Sequence, residues 1–88
     1  MWKLQYYLQS FKVLKKIDHA SREMIYDYLN KIAKTTNPEN FGKPLSANLK
    51  GFWRYRVGDY RIICEIKKNE LIIVIIDIGH RSRVYKTK

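Results

Sequence analysis

The chain has 88 residues, with 18 lysines and arginines against 8 aspartates and glutamates, a formal net charge of +10 and a pI near 9.9. A chain of this length supports one hydrophobic core of modest stability, on the order of 4–13 kcal/mol, so residues 1–88 read as a single domain. The charge suits a nucleic-acid ligand, an acidic protein partner or both. Other classes are excluded: Cys64 stands alone, so no internal disulfide or Cys-based metal site is expected. The longest apolar run, Leu71 to Ile76, is far too short to cross a bilayer, and Trp2-Lys3-Leu4-Gln5 opens no signal peptide. A cytoplasmic, soluble protein without membrane contact is expected.

Along the chain, Leu4, Tyr6 and Leu8 alternate with Lys3, Gln5 and Tyr7, the pattern of a strand with one buried face. Ser10 can cap a short amphipathic helix over residues 11–17, in which Phe11, Leu14 and Ile17 recur at helical spacing. Asp18 reads as the N-cap of a longer helix carrying Ile25, Tyr28, Leu29 and Ile32 on one stripe, with Met24 and Tyr26 at its margin and His19 solvated in its first turn. Thr35 to Gly51 holds Asn-Pro, Phe-Gly, Lys-Pro and Lys-Gly pairs and is a turn-rich connection pinned by Leu45 and Leu49. Its Lys43 and Lys50 either extend a basic surface or are simply solvated.

Residues 53–66 read as two strands joined at Gly58-Asp59, a tight hairpin loop. Counting outward pairs Val57 with Tyr60, Arg56 with Arg61, Tyr55 with Ile62, Arg54 with Ile63 and Trp53 with Cys64. Directly paired residues share a face. Trp53, Tyr55, Val57, Tyr60, Ile62, Cys64 and Ile66 therefore form a core face, with Cys64 a small buried hydrophobe, while Arg54, Arg56 and Arg61 fall on the other. Like charges across a ladder are destabilising, which leaves two readings: a solvated basic face relieved by Glu65, or a cradle for phosphate, whose oxygens match guanidinium forks. After a turn at residues 67–70, Leu71 to Ile76 is apolar on both faces and reads as a central strand. The fold expected is α+β: a small antiparallel meander sheet plus an N-terminal strand beside the last one, with a helical hairpin packed on one face.

The last strand runs into Gly79-His80-Arg81-Ser82-Arg83-Val84-Tyr85. Singly, His80 could bond at the strand end, Arg81 and Arg83 could be solvated, and Tyr85 could anchor the tail. Together with the hairpin arginines they could supply acid, base and charge stabilisation to a phosphodiester.

With these residues in place, the chain resembles the RelE/ParE toxin superfamily, most of all its RelE-like branch. The resemblance rests on Asn37-Pro38, on Leu49-Lys50-Gly51-Phe52-Trp53-Arg54-Tyr55-Arg56-Val57-Gly58-Asp59-Tyr60-Arg61-Ile62-Ile63, and on Ile78-Gly79-His80-Arg81 with Val84-Tyr85. It implies the toxin of a type II toxin–antitoxin system, a ribosome-dependent mRNA interferase held inactive by a cognate antitoxin. Arg54 and Arg56 would grip backbone phosphates, with Lys50 and Arg83 adding to the RNA-binding surface. Arg61 would stabilise the phosphorane and Arg81 the leaving group. Tyr85 would stack on a base or act as general base on the 2′-hydroxyl, with His80 a second candidate. No metal and no small-molecule cofactor is expected. The ParE-like branch, which poisons DNA gyrase by binding, is the alternative that this resemblance leaves open.

Overall fold

A computed structural model describes residues 1–45 and 51–80. Strand β1 (Lys3–Tyr6) leads into helices α1 (Leu8–Lys16) and α2 (His19–Ala33). A 3-10 turn over Pro38–Phe41 and a two-residue strand β2 (Lys43–Pro44) follow, then β3 (Phe52–Val57), β4 (Tyr60–Lys67) and β5 (Ile72–His80). The five strands form one mixed sheet in the order β1-β5-β4-β3-β2, with β1 parallel to β5 and the other pairs antiparallel. The α+β architecture is as expected, including the first strand beside the last.

The hairpin forms in the register counted from its loop, from Val57 opposite Tyr60 to Trp53 opposite Cys64. A positive φ at Gly58 (59°) but not at Asp59 is the type II′ pattern, whose twist matches that of paired strands. Leu14 of α1 and Ile25, Leu29 and Ile32 of α2 pack on the face formed by Tyr55, Val57, Ile62, Cys64, Ile73, Ile75 and Ile78. Cys64 is fully buried there, and burial pushes its thiol well above the usual range. It is a packing residue.

Several local expectations change. Helix α1 begins at Leu8, not at residue 11, and Ser10 is not its cap. Ser10 is buried, and the Ile75 carbonyl accepts both its hydroxyl (2.8 Å) and the Tyr7 N–H (3.0 Å), fastening the turn from β1 into α1 onto β5. Asp18 does cap α2, accepting from the Ser21 N–H at 3.0 Å. Arg22 closes the end of α1, its Nε donating to the Leu14 carbonyl at 3.0 Å and its Nη2 to that of Ile17 at 3.2 Å. This satisfies carbonyls that the helix end would otherwise leave open. Leu71 is not in the central strand; it sits in the preceding turn with φ 55° and is exposed. The Leu45 N–H donates to the Phe52 carbonyl at 3.1 Å, while Leu49 lies outside the described residues. Among the described residues no helix is long and apolar enough to cross a membrane.

Candidate nucleic-acid interface

Strand pairing assembles the site on the sheet face opposite the helices. Lys43 of β2 pairs with Arg54 of β3, and Arg54 pairs in turn with Ile63 of β4. One row further along, Arg56 pairs with Arg61, whose other neighbour is Gly79, a residue with no side chain to cover it. Lys43, Arg54, Arg56 and Arg61 therefore share a face. Arg56 and Lys43 are exposed, and Arg54 and Arg61 are half-buried.

Among the described residues no carboxylate forms an ion pair on this face. The single ion pair among the described residues joins Lys68 to Glu39 at 2.8 Å. Glu65 and Asp77 lie on the arginine face by register, yet neither makes an ion pair with an arginine among the described residues. Asp77 Oδ1 instead accepts from Gln9 Nε2 at 2.9 Å and from the Ile78 N–H at 3.0 Å. Relief of the opposed arginines by Glu65 is thus not realised. A cleft of about 350 Å³ opens beside them, lined by Tyr28, Asn40, Phe41, Gly42, Lys43, Arg54, Arg56 and Arg61.

The cleft wall is held by two phenols. Tyr55 Oη donates to the Pro38 carbonyl at 2.8 Å and Tyr28 Oη to the Phe41 carbonyl at 3.3 Å, and their rings meet edge to face at 6.1 Å. Desolvation raises both phenols above their ordinary pKa, so both stay protonated donors. Tyr28 and Phe41 are site residues that the sequence did not reveal. Tyr28 lies on the apolar stripe of α2, and Phe41-Gly42 carries only a turn signal.

The structure brings together Arg54, Arg56 and Arg61, and adds Lys43. It does not bring His80 to them. His80 pairs with Tyr60, and the two rings meet perpendicularly at 5.2 Å. Tyr60 packs against the core, so His80 shares the helix-bearing face. The cause is a β-bulge: Ile63 pairs with Asp77 but Cys64 with Ile75, which leaves Ile76 unpaired and reverses the facing of every later residue of β5. Lys50, Arg81, Arg83 and Tyr85 lie outside the described residues.

The family model described as the ParE toxin of the type II toxin–antitoxin system parDE matches residues 8–85. The chain belongs to this toxin family, within the RelE/ParE superfamily. It is 40% identical over 72 residues to Toxin RelE of Mycobacterium tuberculosis (strain ATCC 25618 / H37Rv), across 82% of this chain and 69% of that toxin. Its fold matches the toxin–antitoxin complex RelBE2 from Mycobacterium tuberculosis with a TM-score of 0.79, at 22% identity and over 92% of each chain. It matches the isolated E. coli RelE toxin with a TM-score of 0.77, at 13% identity, over 100% of this chain and 89% of that one. Likeness at such identities establishes the fold, and the target has to be argued from the site.

Proposed function

We propose that this toxin cuts mRNA on the ribosome, by attack of a ribose 2′-hydroxyl on the adjacent phosphodiester. The observation that carries the reading is the opposed Arg56–Arg61 pair with Arg54 and Lys43 on one face, without a carboxylate partner among the described residues. Such a face costs stability unless a polyanion occupies it. In the reaction the 2′-oxygen bonds to phosphorus, its proton passes to a base, and the bond to the 5′-oxygen breaks as that oxygen takes up a proton. The products are a 2′,3′-cyclic phosphate and a 5′-hydroxyl.

Arg54 and Arg56, with Lys50 and Arg83, hold the backbone phosphates. Arg61, beside the bare position at Gly79, stabilises the phosphorane, and Arg81 assists the leaving oxygen. Tyr85 is the general base. His80, on the Tyr60 side of the sheet, supports that ring instead of taking the proton. Without a strongly poised base, much of the acceleration must come from orienting the RNA, which is the physical reason for dependence on the ribosome.

The partner that silences the toxin is an acidic antitoxin whose segment folds on this basic domain. The positive charge should make their association fast and salt-sensitive. Support comes from the complex in which the RelBE2 toxin is seen. The ParE description of the family model keeps gyrase poisoning as the second reading. Regulated expression separates the two readings. New 5′-hydroxyl ends within translated mRNA are expected, whereas gyrase-dependent DNA breaks with intact mRNA would overturn the proposal.

A further inference from the structure

We propose that Phe41 is a stacking platform for an unpaired RNA base, a subsite at the rim of the arginine cleft that rests on the RNA reading above. Phe41 is 52% exposed, although it ends a turn whose backbone is tied at both ends by side-chain hydrogen bonds. Tyr55 holds the carbonyl at the start of that turn and Tyr28 the carbonyl of Phe41 itself, at 2.8 and 3.3 Å. The Gly42 N–H donates to the Glu39 carbonyl at 3.2 Å. A Cβ on Gly42 would stand 2.8 Å from Tyr55 Cε1, so only glycine lets the segment lie flush on that ring. Glu39 is tied to Lys68 in turn.

A turn fixed this firmly could have buried its one large apolar side chain, yet it presents the ring to solvent on the same cleft as Lys43, Arg54 and Arg56. A rigid aromatic beside cations that track a phosphate backbone is the arrangement that single-stranded nucleic acids use. The ring takes the face of a base, and the cations take the phosphates on either side. The backbone that carries the ring is already held, so little backbone ordering entropy is lost on binding. A base has a π-face whatever its identity, so the subsite grips one nucleotide with little sequence preference. It sets where the chain enters the cleft.

The test is binding of a short fluorescent 2′-O-methyl RNA, which cannot be cut, to the full chain across a salt series. Phe41→Leu keeps an apolar side chain and removes the π-face, and Phe41→Tyr keeps the π-face. Phe41→Leu should weaken binding by about 5- to 150-fold, the range for one stacked base, without changing the salt slope, while Phe41→Tyr binds like the parent. Arg56→Gln should instead lower the slope by about 0.7, the value for one phosphate contact. Leucine-variant binding equal to the parent, alongside weakened Arg56→Gln, would overturn the subsite and leave the RNA reading standing. A leucine variant that binds RNA normally but no longer binds its acidic antitoxin would overturn it too, making Phe41 a protein contact. A parent chain that does not bind this RNA overturns the subsite, while the ribosome-dependent reading falls only if translated mRNA stays intact on induced expression.

Discussion

Replacing Arg56 by glutamine separates a residue kept for a ligand from one kept for the fold. Arg56 is exposed on β3, faces Arg61 across the ladder and has no ion pair among the described residues. Its removal deletes a like-charge pair, and facing cross-strand pairs contribute roughly 0.2–1 kcal/mol. The variant should therefore be as stable as the parent, or more stable by up to about 1 kcal/mol, which for a domain of this size is a rise in Tm of at most several degrees, about 4–8 °C. Arg56 is exposed and Arg61 half-buried, so solvent ions reach the pair and any gain should shrink as salt is added. Thermal melts followed by circular dichroism at low and high salt measure this, with Arg56→Lys as the control that keeps the charge. Toxicity on induced expression should fall in the glutamine variant although its stability does not. A loss of more than about 1 kcal/mol would show that Arg56 holds the fold together, and the ligand argument for the arginine face would fail.

Two further variants test how the site is held. Tyr55→Phe removes the bond to the Pro38 carbonyl in a buried setting and should cost about 1–3 kcal/mol in denaturant unfolding, the penalty for leaving a buried acceptor open. It should also weaken RNA binding by freeing the turn that carries Phe41, and an unchanged RNA affinity would mean that the clamp does not position the ring. Desolvation, then the neighbouring Tyr26, push the Tyr6 phenol up to about 12 from its ordinary 10.0. The fold therefore favours the protonated phenol: its contribution is complete below pH 10 and is lost as pH rises through the window from 10 to 12. Tyr6→Phe should flatten the alkaline fall in stability in that window, and an identical fall in both proteins would assign it to other groups.

Much of the architecture was legible because its signals are local. The Gly58-Asp59 loop and strict alternation on both sides fix the hairpin register, and with it the arginine face. Asp18 and the Ile25, Leu29, Ile32 stripe fix α2. The misplaced features depend on distant partners. Ser10 looks like a cap until the Ile75 carbonyl is seen above it. Counting by twos along β5 from the buried Ile73 and Ile75 would put Ile76, Ile78 and His80 with the arginines. The bulge at Ile76 instead places Ile78, 3% exposed, in the core and turns His80 with it. No local residue signal marks that bulge. Phe41 was hidden for a related reason: a Phe-Gly turn says nothing of two tyrosines, from α2 and β3, that hold its backbone.

The central claim is that Arg61 and its neighbours stabilise charge on an mRNA phosphodiester that the ribosome presents. Single-turnover cutting of A-site mRNA by the parent and by Arg61→Ala, with the same mRNA free in solution as comparison, tests it most directly. The account predicts rapid cutting on the ribosome, none detectable on free RNA, and a loss of roughly 10²-fold or more in the alanine variant, the scale of one group that stabilises developing charge. An alanine variant as fast as the parent, or free RNA cut as readily as ribosome-bound mRNA, would contradict it.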